Sequence, residues 1–344
     1  MNSTVIFTHG GGRFGNQLLQ FGHLIALTED HRQLSLINWS FWPYADLCAG
    51  TTGNPLCFYA PDGRPPPAFG TALARSVEGV LSRLPSSIER SLRFRLPRMA
   101  HRHLPSRSVD LEDTWGGVDV TVFGGLRVRD PAGPNPNSAD AFDLGSPALV
   151  ARCSRPGSVL LAGWPLRDWD AFDRHAGKVR AFLAPARRFQ DIATPFILEL
   201  RRRYKTLVGV LVRQQDYRIW DGGRYFFQSA QYRDWMAQAA KAFGPDACLV
   251  VATDESQAPG FLDGLNAVWC TGAMAQNGHF VESMAELSLC DVIVSPPSTF
   301  AGWAAFLGQV PQLLLMRPDQ VIQPEDLTGD PFKIVEPRQE RAPR

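Results

Sequence analysis

The sequence predicts an α/β protein in two halves, organised around parallel sheets. Three observations carry this. A buried apolar run, Thr4 to Thr8, leads through a glycine cluster into an apolar-periodic stretch, Leu18 to Leu27. From residue 206 onward short apolar runs alternate with helical periods. The chain, at 344 residues, is also longer than one ordinary core requires. Strands that alternate with helices imply βαβ units, whose ligands bind outside the carboxyl ends of the strands.

Taken in order, strand 4–8, the glycine turn and helix 18–27 open the first half, and a short strand, LSLINW, follows within 31–60. The stretch 61–145 lacks regular periodicity. Pro65, Pro66 and Pro67 interrupt it, and a basic run from Arg90 to Arg107 reads either as a solvated helix face or as a patch for an acceptor or a membrane surface. A strand at 158–163 precedes helices over 170–183 and 189–204, with Pro185 at the boundary. Then come strand 206–213, helix 229–243, strands 248–253 and 267–270, helix 280–289, strand 291–295, helix 299–307 and strand 312–316. The expected division is an N-terminal domain over 1–185 with an irregular insertion at about 61–150, a C-terminal domain over 186–335, and a tail at 336–344.

Composition excludes several classes. With 44% apolar and 20% charged residues the chain is globular. A net charge of +1 gives no bulk field for nucleic acid or an anionic membrane, so an anionic ligand needs a local basic cluster. The six cysteines lie far apart without a CxxC pair, and read as reduced core residues rather than a zinc or disulfide framework. The opening MNSTVIFTHGGG lacks a signal-peptide pattern, and no run of about 18 apolar residues occurs. The expectation is a cytoplasmic protein of bacterial type, open to peripheral membrane contact.

Four loops at strand ends carry the candidate chemistry. The first, His9 to Gln17, contains Gly12, Arg13, Phe14, Gly15 and Asn16. Its glycines admit positive φ and close approach to a ligand, and the helix start offers free N–H groups for phosphate. It reads equally as a tight structural turn, and it is not a Walker loop. In the second, Arg213 follows a buried strand directly, and guanidinium suits phosphate at every working pH. Asp216, three residues on, is either a general base or a salt-bridge partner of Arg213. In the third, Asp254 could accept from a guanine edge or cap the next helix. In the fourth, Ser298, Thr299 and Phe300 open a helix, either as a phosphate cradle or with Ser298 as a simple cap.

Together these stretches resemble the α-1,2-fucosyltransferase family and, more distantly, the protein O-fucosyltransferases. GRFGNQLLQFGHLIAL is similar to the family's glycine-Asn-Gln loop and first helix, and LLAGWPLRDWDAFDRHAGKVRAFL to the segment before its donor domain. VGVLVRQQDY lines up with the His-x-Arg-Arg-Gly-Asp-Tyr signature. YFFQSAQYRDWMAQAA, LVVATDES and MAELSLCDVIVSPPSTFAGWAAFLG follow in the family's order. The match covers about the first thirty residues and most of the chain after 158. It implies a GT-B glycosyltransferase, with two Rossmann-like domains and a cleft between them, GDP-fucose as donor, no cofactor, inversion without a metal, and a glycan acceptor. It implies that Arg213 faces the β-phosphate, that Asp254 reads guanine or ribose, that Ser298, Thr299 and Phe300 hold the diphosphate, and that Asn16 lies near the reactive carbon. Asp216 is the first choice of base and His9 the second.

The signature is altered. Its histidine is Leu211, its second arginine Gln214 and its glycine Gln215. Arg13, Arg218 and Arg224 are candidates to replace the missing charge. Three alternatives follow: another GDP-sugar as donor, a non-catalytic glycan- or nucleotide-binding module, and a hydride-transferring Rossmann enzyme, which lacks its ribose-binding acid.

Overall fold

A computed structural model of the chain describes residues 3–10, 12–103, 106–107, 119–123, 126–127, 142–154, 157–163 and 165–332. The chain divides into two units, Met1–Ala184 and Pro185–Arg344. Each is α/β with parallel strands at its centre, the class predicted from sequence. The expected tail at 336–344 lies outside the described residues.

In the first unit β1 (Ser3–His9) leads into α1 (Phe14–Asp30) and β2 (Leu34–Asn38), followed by a 3-10 segment, Trp39–Leu47, and β3 (Phe58–Tyr59). Then come α2 (Ala68–Leu81), α3 (Ser86–His103), β4 (Ser106–Arg107), β5 (Asp119–Phe123), β6 (Leu126–Arg127), β7 (Phe142–Asp143) and α4 (Pro147–Cys153). β8 (Gly157–Ala162), β9 (Leu166–Arg167), α5 (Trp169–Arg174) and α6 (Ala176–Leu183) complete the unit. The sheet order is β3-β2-β1-β8-β5-β4, with β1 parallel to both β2 and β8. β1 is central and apolar inward, and α1 is buried along nearly its whole length.

Two expectations change here. The helix predicted over 170–183 is two helices, α5 and α6, meeting at His175, whose φ of −106° and ψ of 14° leave the helical basin. The insertion expected to be irregular from about 61 to 150 is helical over much of its first half. Pro67 stands at the N-cap of α2, where its missing N–H is harmless, and α3 continues through Pro97. The Glu89–Arg93 pair at 2.9 Å supports α3 at helical spacing.

The second unit runs α7 (Arg187–Arg201), β10 (Thr206–Val212), α8 (Ser229–Phe243), β11 (Ala247–Thr253), β12 (Ala267–Trp269), α9 (Phe280–Leu287), β13 (Val292–Ser295), α10 (Thr299–Gly308) and β14 (Gln312–Leu314). All strand pairs of its five-stranded sheet, ordered β12-β11-β10-β13-β14, are parallel. β10 alternates its two faces. Val208, Val210 and Val212 pack with Tyr232, Trp235 and Met236 of α8. On the other face Gly209 admits α9: a Cβ there would stand 2.8 Å from Leu287 Cδ2. All six cysteines are buried and free. No helix among the described residues is long and apolar enough to cross a membrane.

α9 is tied to the end of β12 by a buried carboxylate. Glu286, fully buried, accepts from the Thr271 amide at 3.0 Å and from Thr271 Oγ1 at 2.6 Å. Burial raises its pKa from an ordinary 4.5 to about 7, against the lowering effect of those hydrogen bonds. The folded state therefore holds this proton more tightly than the unfolded chain does. Ionising Glu286 in place destabilises the fold progressively as pH rises from about 4.5 to about 7. Glu286→Gln should raise stability at pH 8 by roughly 2–4 kcal/mol relative to its effect at pH 4. Urea unfolding of both forms across that range measures this, and a parallel pH dependence in the two would refute it.

Candidate functional site

Parallel register builds the site at the carboxyl edge of the second sheet. Val212 is level with Thr253 across the β10–β11 pair, so Arg213 and Asp254, the next residues, emerge side by side. Arg213 Nη1 lies 3.1 Å from Asp254 Oδ2, and Nη2 lies 2.8 Å from Asp216 Oδ1. The guanidinium also stands over the Tyr217 ring, 5.5 Å from its centroid. Two carboxylates and one aromatic face fix a side chain that is only 18% exposed. Arg213 Nε is buried and has no hydrogen-bond partner.

The backbone of the loop is fixed from beneath. Tyr232 on α8 donates to Arg213 O at 3.1 Å, and the Arg213 amide donates to Tyr232 Oη at 3.2 Å. The Gln214 amide donates to Asp254 Oδ1 at 2.9 Å. Burial raises the Asp254 pKa, and the charge of Arg213 and the Gln214 amide counter it. Tyr217, buried, donates its hydroxyl to Pro297 O and so links this loop to the one after β13. There Ser298 caps α10, its Oγ accepting the Phe300 amide at 3.2 Å. Thr299 and Phe300 are half-buried at the helix start.

Two of the three substituted signature positions, Leu211 and Gln214, turn their side chains away from this group. Leu211 is buried in β10. Gln214 is 3% exposed and points at the start of α8. Its Nε2 donates to Phe227 O at 2.9 Å, and its Oε1 accepts from Gln257 at 2.8 Å. Ser229 Oγ in turn donates to Gln257 Oε1 at 2.7 Å. Gln215 reaches Asp254 O. Arg218 forms a bidentate pair with Glu255 at 2.7 and 2.8 Å, and Arg224 lies over Tyr225. Neither joins Arg213.

In the first unit the loop after β1 closes on itself. The Gly10 amide donates to Ser40 Oγ at 3.1 Å, and Ser40 donates to Gln17 Oε1 at 2.8 Å. Gly12 has φ of +79°, and a Cβ there would fall 1.9 Å from Asn16 Nδ2, so both conformation and space demand glycine. Arg13 is exposed at the N-cap of α1. Phe14 and Gly15 are buried, with the Phe14 ring 5.2 Å from that of Tyr44. Asn16 is half-buried. The side chain of His9 lies outside the described residues.

Of the sequence-predicted residues, the structure joins Arg213, Asp216 and Asp254 directly, and links them through Tyr217 to the segment holding Ser298. Both Asp254 oxygens are engaged within the loop, and Asp216 is tied to Arg213. Phe14 and Gly15 are buried at the start of α1. Sequence reasoning missed Tyr217, Tyr232 and Gln257. Tyr217 could have been found as the last letter of the altered signature, but no local pattern marks the other two. Among the described residues no group of three or more His, Cys, Asp or Glu is placed to hold a metal ion.

No protein-family profile and no curated protein matches the chain. Among solved structures it is similar to a mutant of Arabidopsis thaliana FUT1 in complex with GDP, at 14% identity and TM-score 0.49, covering 95% of this chain and 74% of that one. It is similar to POFUT1 in complex with GDP-fucose, at 12% identity and TM-score 0.45, over 92% and 98% of the two chains. It is also similar to the fucosyltransferase NodZ from Bradyrhizobium, at 13% identity and TM-score 0.43, over 94% and 98%.

Asp254→Asn should loosen this loop, because it replaces a charged partner of both Arg213 and the Gln214 amide. The expected loss is about 1–3 kcal/mol of stability with faster hydrogen exchange at Gln214. Unchanged exchange there would show that Asp254 does not hold the loop.

Proposed function

We propose that the chain is a GT-B glycosyltransferase that uses a GDP-sugar, GDP-fucose by its sequence resemblance, and transfers the sugar to a glycan hydroxyl with inversion and without a metal ion. The observation that carries this reading is the guanidinium of Arg213, fixed at the carboxyl edge of a parallel sheet and linked by Tyr217 to the start of α10. Such an edge is where α/β sheets take nucleotides. A helix start supplies amide hydrogens for phosphate, and α10, with Ser298, Thr299 and Phe300, presents one.

In the reaction, the acceptor oxygen forms a bond to the anomeric carbon while the bond from that carbon to the diphosphate breaks, and GDP departs with the electron pair. Charge grows on the leaving oxygen. Arg213, already oriented, interacts more strongly with that charge than with the bound donor, which is what lowers the barrier. The acceptor proton passes to a base late in the reaction. Asp216 is the candidate, acting with Arg213 as its partner, and His9 is the second. Asn16 enters as a contact to the reacting centre on the strength of the sequence resemblance. Asp254 acts here mainly as the brace of Arg213, since Arg213 and Gln214 occupy both its oxygens.

A second reading, binding without turnover, is favoured by the ion pair that engages Asp216. Another GDP-sugar is favoured by Gln214, whose inward turn leaves one arginine where the related signature has two.

Calorimetric titration with GDP, GDP-fucose and UDP tests the proposal. GDP and GDP-fucose should bind and UDP should bind much more weakly; equal binding of UDP, or no binding of GDP, would overturn it. Arg213→Ala should lower transfer by at least about 10²–10³-fold while the thermal midpoint shows a folded protein. Asn16→Ala should lower transfer while GDP affinity is retained. Donor binding with no transfer from any GDP-sugar would select the non-catalytic reading.

A further inference from the structure

The helices α2 and α3 of the first unit differ sharply on their two sides. On one side they are anchored. Arg93 on α3 reaches Glu89 at 2.9 Å and Glu78 on α2 at 3.4 Å, and stacks over the Trp42 ring at 5.1 Å. Trp42 Nε1 donates to Glu78 at 3.1 Å. Leu81 is buried beneath them.

On the other side the residues are apolar or basic and in solvent. Leu73 and Val80 on α2 are 56% and 61% exposed, and Ile88 and Met99 on α3 are 48% and 51% exposed. Leu73 and Val80 are seven apart, and so share a side of α2. Ile88, Arg95 and Met99 likewise fall along one side of α3. Arg93 is five positions past Ile88, and Glu78 five past Leu73, so the anchored side is about 140° round each helix. Arg83 follows Val80 by three positions and is exposed, as is Arg95. Neither has a carboxylate partner among the described residues.

The charge balance of this hairpin is one-sided. Residues 68–103 contain seven arginines, no lysine and two glutamates, in a chain whose net charge is only +1. Both glutamates are engaged by Arg93, so neither screens the outer side. Exposed aliphatic residues on two consecutive helices joined by the Arg93–Glu78 ion pair, with Arg83 in the connection between them and Arg95 on α3, are the pattern of an interfacial surface. The apolar groups enter the boundary of the acyl chains, while the guanidinium groups reach back to lipid phosphates.

We infer that the α2–α3 hairpin docks the protein on an anionic membrane surface through Leu73, Val80, Ile88 and Met99, with Arg83 and Arg95 on lipid phosphates. The surface chemistry selects the occupant. A neutral apolar partner would leave the arginines desolvated and unpaired, whereas an anionic bilayer satisfies both parts. This goes beyond the donor chemistry proposed above and stands without it, because vesicle binding is read with no nucleotide present.

The full-length protein is sedimented with vesicles of phosphatidylcholine alone and of phosphatidylcholine mixed with phosphatidylglycerol. Binding is expected to the mixed vesicles and to fall steeply with salt. Arg83→Gln with Arg95→Gln should raise the lipid concentration needed for half-binding about thirtyfold. Val80→Ser with Ile88→Ser should weaken binding at every salt concentration. Thermal unfolding of each variant controls for folding, and the substituted positions are all exposed. Equal binding to neutral vesicles, no binding to anionic ones, or no effect of the arginine substitutions would overturn the inference. So would a vesicle-free dimer, seen by analytical ultracentrifugation and abolished by Val80→Ser with Ile88→Ser, which would give the face to a second copy instead.

Discussion

Arg213 stands between two carboxylates, with Nη1 on Asp254 and Nη2 on Asp216. A guanidinium has five donors in a rigid plane, so two acids in fixed places determine its orientation as well as its position. Both acids are placed by the backbone. Asp254 follows the strand paired with β10, and Asp216 opens a short 3-10 turn on the loop that carries Arg213. The orientation of the charge is therefore inherited from the register of two parallel strands. Shifting that register by one residue would separate the pair and turn the side chains of β10 to the opposite face.

The edge of the sheet was legible from the sequence because it follows from pattern. Apolar runs at 206–213, 248–253 and 291–295 are too regular to be anything but buried strands, and in parallel pairing their ends are level. Arg213, Asp254 and Ser298 were thus placed at that edge by position alone. The contacts that hold them were not legible, since they are made between residues far apart in the chain. Tyr232 meets Arg213 across 19 positions and Gln257 meets Gln214 across 43. Nothing near Gln257 in sequence marks it as a partner. The helices over 68–103 escaped for a different reason. Their apolar residues are split between an anchored side and a solvent side, so the usual one-sided periodicity is blurred, and Pro97 reads as a break although α3 passes through it.

The loop before α1 was less legible. A glycine loop before a helix is the same local signal whether it cradles a ligand or makes a turn. Here Gly12 is required by a φ of +79° and by the proximity of Asn16, while Phe14 fills the aromatic layer beside Tyr44 and Phe41. Those demands arise from folding and hold with or without a ligand.

The altered signature has a consequence in charge. With Gln214 drawn into the amide network at the start of α8, and Arg218 paired with Glu255, the cluster around Arg213 holds one cation and two acids. On the proposed function, a diphosphate arriving there would meet a fixed guanidinium but also two negative neighbours. Arg213 Nε, buried without a hydrogen-bond partner, is the guanidinium nitrogen not committed to Asp216 or Asp254. Leaving such a donor unpaired costs about 1–3 kcal/mol, which a ligand oxygen would recover. Burial raises the Asp254 pKa, while the charge of Arg213 and the Gln214 amide act to lower it. On the proposed function, the cluster therefore meets the diphosphate with one fixed guanidinium, whose Nε is buried without a hydrogen-bond partner, and with no second arginine among the described residues to share the charge.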